Sequence, residues 1–319
     1  LALQYDKLRV VHLAENQGKA MALQAGSLLT DAEFLIGIDG DALLDPFAAQ
    51  WMIRHFLENP TVAAVTGNPR IRTRSTLLGR IQVGEFSSIV GMIKRAQRTF
   101  GRLFTVSGVI TAFRKSAVHE VGYWSPNMLT EDIDITWKLY RAGWDIRFEP
   151  NALVWILMPE TLNGLWKQRL RWAMGGAQVL LKNIDVLFKP KLNYLSPSII
   201  ELILTLVWSY LMLTMLILWI LHFILPFAGF PEISSPLLPM GTGILLGTTC
   251  LLQFAMSKWM DSRYEAGLAR NYYWMIWYPF VFWLITVSAS IIAFPKVLFR
   301  KDGTRARWVS PDRGLRNDD

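Results

Sequence analysis

The sequence has one cysteine and little charge for its length of 319 residues. With Cys250 alone, the chain forms no intrachain disulfide and no cysteine-based metal site. Its four histidines show no clustered ligand spacing, and no glycine pattern of the P-loop type occurs. These absences exclude a disulfide-stabilised domain, a zinc finger and a P-loop enzyme.

Asp, Glu, Lys and Arg are absent from three long runs, 202–225, 237–256 and 272–294. Each run is long enough to cross a hydrocarbon core, which takes about 20 helical residues. The hydrophobic content of 52% and the mean hydropathy of +0.27 are too high for an ordinary soluble protein. We therefore predict a transmembrane region at 199–298 with about three spans. The third run contains Pro279 and is a candidate for a broken or re-entrant segment.

The positive charge, a formal +8, lies mainly beside the apolar runs. Lysines at 182, 189 and 191 precede the first run, and Arg300 and Lys301 follow the last. This placement favours anionic lipid headgroups as the partner, and no RNA-binding pattern supports nucleic acid. We predict contact with a lipid bilayer and no nucleic-acid partner. The basic tail, 299–319, is expected on the cytosolic side, although three full spans would place it outside.

Residues 1–157 alternate short β-rich runs with helical stretches, which is typical of an α/β layer fold. The pattern predicts strands at 9–13, 34–38, 62–66 and 109–114, and helices at 19–29, 46–58, 77–98 and 132–141. Residues 158–198 are predicted to form amphipathic helices in the membrane interface, with Trp and Arg on one stripe. The chain opens without Met, almost directly on a strand, whereas a nucleotide-binding domain of this class needs an earlier one. We expect a fragment whose first strand is missing.

An acidic motif, Asp39-Gly40-Asp41, ends the predicted strand 34–38. In open α/β sheets, ligands gather outside the carboxyl ends of strands. Two carboxylates around a glycine can hold a hard divalent cation that also keeps phosphate and water ligands. Such a cation would stabilise a departing diphosphate. The alternative interpretation is a polar turn after the strand.

Gly18 and Lys19 stand where the helix 19–29 is predicted to begin. Backbone N–H groups at a helix start, together with an ammonium, favour phosphate. The pair therefore predicts contact with a phosphate group.

A second acidic motif, Thr130-Glu131-Asp132, begins the predicted helix 132–141. One interpretation is a helix N-cap followed by carboxylates that suit the helix dipole. The other is a general base that removes a proton from a sugar hydroxyl as the hydroxyl attacks an anomeric carbon. Because adjacent residues on a helix point in different directions, only one of the two carboxylates should carry that role.

A third motif places Gln168, Arg171 and Trp172 at i, i+3 and i+4, so a helix would present all three on one face. Arg can grip a diphosphate with two hydrogen bonds, Gln can hydrogen-bond it or the sugar, and an indole offers a flat surface to a pyranose. The alternative is a plain interfacial helix that uses Trp and Arg as membrane anchors. Both interpretations can hold together.

The order of these motifs, followed by the apolar runs, resembles that of the processive family 2 glycosyltransferases, the group of cellulose, chitin and hyaluronan synthases. The resemblance covers nearly the whole chain. The segments 77–86, 106–109, 123–126 and 308–314 are most similar to bacterial members that join N-acetylglucosamine through β-1,6 linkages. The family's first nucleotide-binding aspartate and its N-terminal membrane segments have no counterpart in this sequence.

The resemblance implies a GT-A fold, UDP-N-acetylglucosamine as donor, a growing polysaccharide as acceptor, and Mg²⁺ or Mn²⁺ as cofactor. It also implies inversion at the anomeric carbon and export of a biofilm exopolysaccharide across the bacterial inner membrane by a multi-pass protein with a cytoplasmic catalytic domain. A small membrane accessory subunit and activation by cyclic di-GMP through that complex are implied as well.

The resemblance also implies roles for the motif residues. Asp41 would ligate the metal, Asp39 would contact the nucleotide sugar, and Asp132 would be the base. The remaining positions that match the family's substrate-binding residues are Lys19, Glu131, Gln168, Arg171 and Trp172. Two other enzymes stay open, a non-processive transferase acting on a polyprenyl phosphate and a synthase of a related polymer. A pure transporter or assembly scaffold would leave the three motifs unexplained.

Overall fold

The computed structural model of the protein describes residues 4–225, 242–278, 282–301 and 303–306. At its centre lies a five-stranded mixed sheet of strand order β1-β4-β3-β5-β2. The strands are β1 (Phe34–Ile38), β2 (Leu43–Leu44), β3 (Val62–Ile71), β4 (Ile110–Arg114) and β5 (Asp145–Ile156). β3 and β5 pair in parallel, and the other neighbours are antiparallel.

Ten α-helices are described around and beyond this sheet. They are α1 (Lys19–Leu28), α2 (Ala48–Glu58), α3 (Leu77–Phe86), α4 (Lys94–Phe100), α5 (Lys115–Glu120), α6 (Glu131–Arg141), α7 (Leu162–Asn183), α8 (Ser196–Ile224), α9 (Thr242–Asp261) and α10 (Trp283–Leu298). A π-helical segment, Ser87–Ile93, joins α3 to α4. Short 3₁₀ helices cover Ile184–Phe188, Pro190–Leu195 and Leu268–Trp277.

The central position of the sheet follows from the apolar residues buried on both of its faces. Every residue of β3 is buried, as expected for a central strand covered on both faces. On one face, α2 buries Ala48, Met52 and Phe56, which recur every fourth residue and so form one helical stripe. On the other face, α6 buries Trp137 and its neighbours. Helices on both faces make the domain an α/β layer structure.

Most elements predicted for residues 34–141 are present, including the strands 34–38, 62–66 and 109–114. The predicted helix 77–98 is continuous in the structure but contains the π-helical segment. The strand predicted at 9–13 was wrong. These residues carry no strand, and Val10 and Val11 are exposed. An apolar run becomes a strand only where a neighbouring edge accepts its backbone hydrogen bonds, and β1 pairs with β4 alone among the described strands.

The apolar runs differ in their structure. The first lies in α8, and within the described residues one helical stretch, Pro190–Ile224, is long and apolar enough to cross a membrane. The second lies partly in α9, with 237–241 outside the described residues. The third is divided between a 3₁₀ helix and the 16-residue α10, with 279–281 also outside. The prediction of about three spans therefore stays a prediction.

Buried ion pairs connect the sheet to α9 and to the turn that follows it. Arg70 of β3 donates to Asp261 Oδ2 at 2.5 Å and lies 3.0 Å from Glu265 Oε2. Arg95 of α4 reaches the other carboxylate oxygen of Asp261 at 3.2 Å, and Arg74 pairs with Glu265. Asp261 is fully buried, so these pairs fix the helix against the domain.

Candidate active site

The carboxyl end of β1 brings together Lys19 and Asp39. Gly18, at φ 87°, precedes α1 and allows the turn that directs Lys19 inward. The Lys19 ammonium pairs with Asp39 and donates a hydrogen bond to the Gly108 carbonyl at 2.8 Å. It also lies 3.5 Å from Glu131 Oε1. Burial alone would lower the pKa of Lys19, but the charges of Glu131, Asp39 and Asp132 outweigh it and raise that pKa.

Asp132 is held by backbone groups. Gly108 donates its N–H to Asp132 Oδ2 at 3.0 Å, and Ile133 donates its own to Oδ1 at 2.9 Å. Glu131 Oε1 lies 3.5 Å from Lys19 Nζ, and the charges of both adjacent carboxylates act on that lysine. Burial, and then the charge of Asp132, raise the pKa of Glu131. Thr130 occupies the N-cap position and acidic residues follow it in the first turn, as predicted, but the Thr130 side chain makes no cap hydrogen bond.

The third motif lies on α7, where Gln168, Arg171 and Trp172 share one face as predicted. Arg171 Nη1 donates to the Leu129 carbonyl at 3.4 Å, next to the Thr130 motif. The Trp172 ring lies 6.4 Å from that of Phe86, which belongs to α3. The motif therefore faces the catalytic domain and not only a membrane surface.

A cavity of about 550 Å³, called the central cavity below, joins these motifs. The predicted site residues that line it are Lys19, Asp39, Glu131, Asp132, Gln168, Arg171 and Trp172. The central cavity continues to Thr205 of α8 and to Thr286 and Ser290 of α10. It thus runs from the edge of the sheet to an apolar helix long enough to cross a membrane.

Asp41 is the predicted site residue that lies apart from this group. It lines a neighbouring cavity of about 790 Å³, which shares Lys19 and Asp39 with the central cavity. No group of three His, Cys, Asp or Glu side chains suited to a metal occurs in the part of the chain that the structure describes. The Asp39-Gly40-Asp41 motif supplies two carboxylates at this edge of the sheet.

Sequence reasoning missed the residues that support Trp172. Arg169 was expected on an exposed interfacial stripe, yet it is buried and donates to Glu85 Oε2 at 2.5 Å. Tyr278 donates to the other oxygen of Glu85 at 2.9 Å, and the Arg169 guanidinium lies 4.6 Å from the centre of the Trp172 ring. Glu85 lies within an apolar helical run, and this was the signal in the sequence. A carboxylate in such a run is expected to be buried, and a buried carboxylate needs a cationic or hydrogen-bonding partner.

The start of the tail also reaches the site. Ala306 lines the central cavity and donates its N–H to the Pro126 carbonyl at 2.8 Å, while Arg305 donates to Gln17 at 2.9 Å. Residues 307–319, which include the whole of the similar segment 308–314, lie outside the described residues.

Comparisons with known proteins agree with this combination of fold and site. Residues 34–287 match the family model described as "Glycosyl transferase family group 2". The chain therefore belongs to glycosyltransferase family 2 and is a transferase enzyme.

Two curated relatives carry the name poly-β-1,6-N-acetyl-D-glucosamine synthase. The one from Staphylococcus epidermidis is 41% identical over 306 residues, which are 96% of this chain and 74% of the relative. The one from Staphylococcus aureus is 42% identical over 304 residues, which are 95% of this chain and 74% of the relative.

Among solved structures, a mannosyltransferase from Pyrobaculum calidifontis, in complex with GDP-Man and Mn²⁺, aligns with a TM-score of 0.53 at 18% identity. The alignment covers 92% of this chain and 70% of that protein. At this identity the likeness concerns the fold alone, and it confirms the predicted GT-A architecture followed by helices.

Proposed function

We propose that the protein polymerises N-acetylglucosamine from UDP-N-acetylglucosamine into a β-1,6-linked exopolysaccharide, with inversion at the anomeric carbon. One observation carries the proposal: the side chains of the motifs predicted to handle donor, base and acceptor line a single cavity that continues to α8 and α10. The names of the Staphylococcus relatives support the sugar and the linkage.

In the proposed reaction, Asp132 is the general base. Its carboxylate takes the proton of an acceptor hydroxyl while that oxygen attacks the anomeric carbon of the donor sugar. The new bond joins the acceptor oxygen to the anomeric carbon, and the bond from that carbon to the diphosphate oxygen breaks, so UDP departs with the electron pair. The N–H groups of Gly108 and Ile133 hold the carboxylate in place for this step.

The donor would lie along the side of the central cavity that Lys19 and Asp39 form. Lys19 stays cationic because three carboxylates surround it, so it can attract the diphosphate. Arg171 and Gln168 approach from α7 and can hydrogen-bond the diphosphate or the sugar.

On the acceptor side, the Trp172 indole would stack on the acceptor pyranose, and the buried ion pair of Arg169 with Glu85 limits the movement of the indole.

A divalent cation fits the Asp39-Gly40-Asp41 motif. Mg²⁺ and Mn²⁺ take hard oxygen ligands and usually keep phosphate and water ligands beside one or two carboxylates, which is the donor set this motif offers. A side chain added at Gly40 would meet no atom within 4 Å, so the backbone leaves room for a diphosphate. When bound, the cation would neutralise the charge that develops on the departing UDP. Asp41 would be its ligand, and Asp39 would contact the nucleotide sugar.

We also propose that the product leaves along α8 and α10 through the bacterial inner membrane, with the catalytic domain in the cytoplasm. The contact between Ala306 and Pro126 supports a tail that begins on the catalytic side. In a Cys250→Ser background, labelling of Ser310→Cys from the cytoplasmic side would test this. Ser310 lies outside the described residues. A small membrane accessory subunit and cyclic di-GMP as activator belong to the proposal through the family resemblance.

The second candidate is the non-processive transfer of a sugar to a polyprenyl phosphate. The large central cavity, with a tryptophan and polar side chains beyond the base, favours a sugar acceptor over a lipid phosphate. Product length distinguishes the two functions.

The test supplies labelled UDP-N-acetylglucosamine and Mg²⁺ to the full-length protein in lipid nanodiscs. We expect release of UDP and a long polymer that a β-1,6-specific glycosidase degrades to short products. A polymer that only a β-1,4-specific enzyme cuts would reassign the protein to a related synthase. A single sugar on an added polyprenyl phosphate would establish the second candidate.

A further inference from the structure

Lys94 is a buried lysine that none of the motifs includes. It is the first residue of α4 and directly follows the π-helical segment. Only 5% of its surface is exposed, and its Nζ has no hydrogen-bond partner among the residues that the structure describes. Because an unpaired buried ammonium is costly, such a group is seldom retained without a ligand or a function. Lys94 lines the central cavity, so a bound molecule can reach it.

The two lysines of the central cavity lie in different surroundings. Lys19 has partners in Asp39, Gly108 and Glu131. Lys94 feels the charge of Asp132, which acts on Lys19 too. The other titratable or charged groups that line the central cavity are Asp39, Glu85, Glu131, Arg169, Arg171 and Tyr278. The charge of Asp132 thus acts on two lysines, one that is paired on the donor side and one whose Nζ has no hydrogen-bond partner among the described residues.

Other polar atoms of the same cavity also lack partners in the described structure. They include Thr130 Oγ1 and Gln168 Oε1, both buried. A ligand that satisfies the ammonium of Lys94 and the amide oxygen of Gln168 must both accept and donate hydrogen bonds. Sugar hydroxyls do both. A second, fully ionised anion would satisfy Lys94 but could not donate a hydrogen bond to Gln168.

We propose that Lys94 binds the acceptor sugar, its Nζ donating hydrogen bonds to oxygens of the terminal residue so that the attacking hydroxyl lies against Asp132. The proposal rests on the polymerase function proposed above and adds a specificity-determining residue to it. Burial lowers the pKa of Lys94 to about 8, which reduces the cost of keeping the lysine in place before the acceptor arrives.

The test compares Lys94→Met and Lys94→Gln with the wild type, using full-length protein in nanodiscs and β-1,6-linked N-acetylglucosamine oligosaccharides as acceptors. Lys258→Met is the matched control. Lys258 is also buried, and its Nζ has no hydrogen-bond partner in the described part of the chain. It lies over the Tyr272 ring and is not among the residues that line the central cavity. The measurements are kcat and KM for the acceptor, the Kd for UDP-N-acetylglucosamine, and the Tm.

We expect Lys94→Met to raise the acceptor KM by about 10- to 100-fold, since it removes hydrogen bonds from a charged donor. Donor Kd should stay within about twofold, and Tm should not fall, because the substitution removes an unpaired buried charge. Lys94→Gln keeps a donor and should give an intermediate KM. Lys258→Met should leave both constants unchanged.

Four outcomes would overturn the inference. An acceptor KM unchanged in Lys94→Met, with the wild type polymerising normally, would leave the proposed function intact and remove only this role of Lys94. Loss of donor binding would assign Lys94 to the donor side. Failure of Lys94→Met to fold, while Lys258→Met folds, would make Lys94 a structural residue. If the wild type makes no polymer at all, the proposed function itself fails and the inference fails with it.

Discussion

Gly108 contacts Asp132 and Lys19 at once. Its N–H donates to Asp132 Oδ2 at 3.0 Å, and its carbonyl accepts from Lys19 Nζ at 2.8 Å. A Cβ atom at this position would lie 3.0 Å from Asp132 Oδ2 and 3.4 Å from Lys19 Nζ. One residue without a side chain therefore sets the spacing between the proposed base and the donor-side cation.

We expect Gly108→Ala to reduce the polymerisation rate by about 100-fold, because a misplacement of about 1 Å in a catalytic group costs that much. The fold should survive, since the added methyl presses on movable side-chain ends. Steady-state UDP release and Tm are the measurements. Gly247→Ala is the control, because a Cβ there meets no atom within 4 Å. Full activity of Gly108→Ala would mean that this spacing is not critical.

Asp132→Asn should lower polymer formation by about 10²- to 10⁴-fold, the range for loss of a general base. Donor binding should stay nearly intact, because the base acts on the acceptor. Isothermal titration calorimetry with UDP-N-acetylglucosamine measures donor binding. Appreciable polymer from this variant would remove Asp132 from its role, and Glu131→Gln would then be the variant to examine.

Asp41→Ala should weaken donor binding in the presence of Mg²⁺ or Mn²⁺ and change it little when EDTA is present. The reason is that Asp41 would act through the cation and not on the nucleotide directly. Titration of donor at several Mg²⁺ concentrations gives the measurement. If excess Mg²⁺ restored full activity, Asp41 would be no more than a turn residue.

Trp172→Ala should shorten the products with little change in the first transfer. Stacking of an aromatic ring on the acceptor retains the chain between cycles, so its loss favours early release. Gel or size-exclusion analysis of labelled products gives the length distribution. Unchanged product lengths would favour the membrane-anchor interpretation of this tryptophan.

The stability of Lys94→Met relative to the wild type should fall as the pH rises from about 8 toward 10.5. The pKa of Lys94 is about 8 in the folded protein, compared with the ordinary 10.5 expected on unfolding. Between these values the unfolded chain binds more protons, so wild-type stability rises with pH through this window. Below pH 8, Lys94→Met should be more stable by an amount on the order of 3 kcal/mol, shrinking toward pH 10. Tm measured from pH 7 to 10 tests this, and a constant difference would contradict it.

The sequence predicted much of this site because its residues follow local patterns. Asp39 comes directly after a strand, Glu131 begins a helix, and Gln168, Arg171 and Trp172 share a helical face. Lys94 and Gly108 could not be found in this way. A buried lysine looks like any other in a helical run, and the role of Gly108 depends on its contacts with Asp132 and Lys19, both distant in sequence.

Two other differences between the predicted and the observed structure also arise from contacts between residues that are distant in sequence. Arg169 has the pattern of a membrane anchor until the position of Glu85 is known, because only tertiary contact shows that a charge is buried and paired. The segment 9–13 contains the β-branched residues Val10 and Val11, which favour a strand. Strand formation also depends on a neighbouring strand edge, which the local sequence does not reveal. Periodicity thus predicts elements, and long-range pairing decides which of them form.

The ion pair of Arg70 with the fully buried Asp261 limits how the enzyme can move. Removing one member of such a pair typically costs about 3 to 5 kcal/mol, so a hinge between the sheet and α9 would be expensive to open. We therefore expect these two parts to behave as one rigid body during synthesis. In the proposed processive reaction, the polysaccharide would then advance by one sugar per cycle through its own motion and that of small elements around it. The sheet and α9 would keep their relative position.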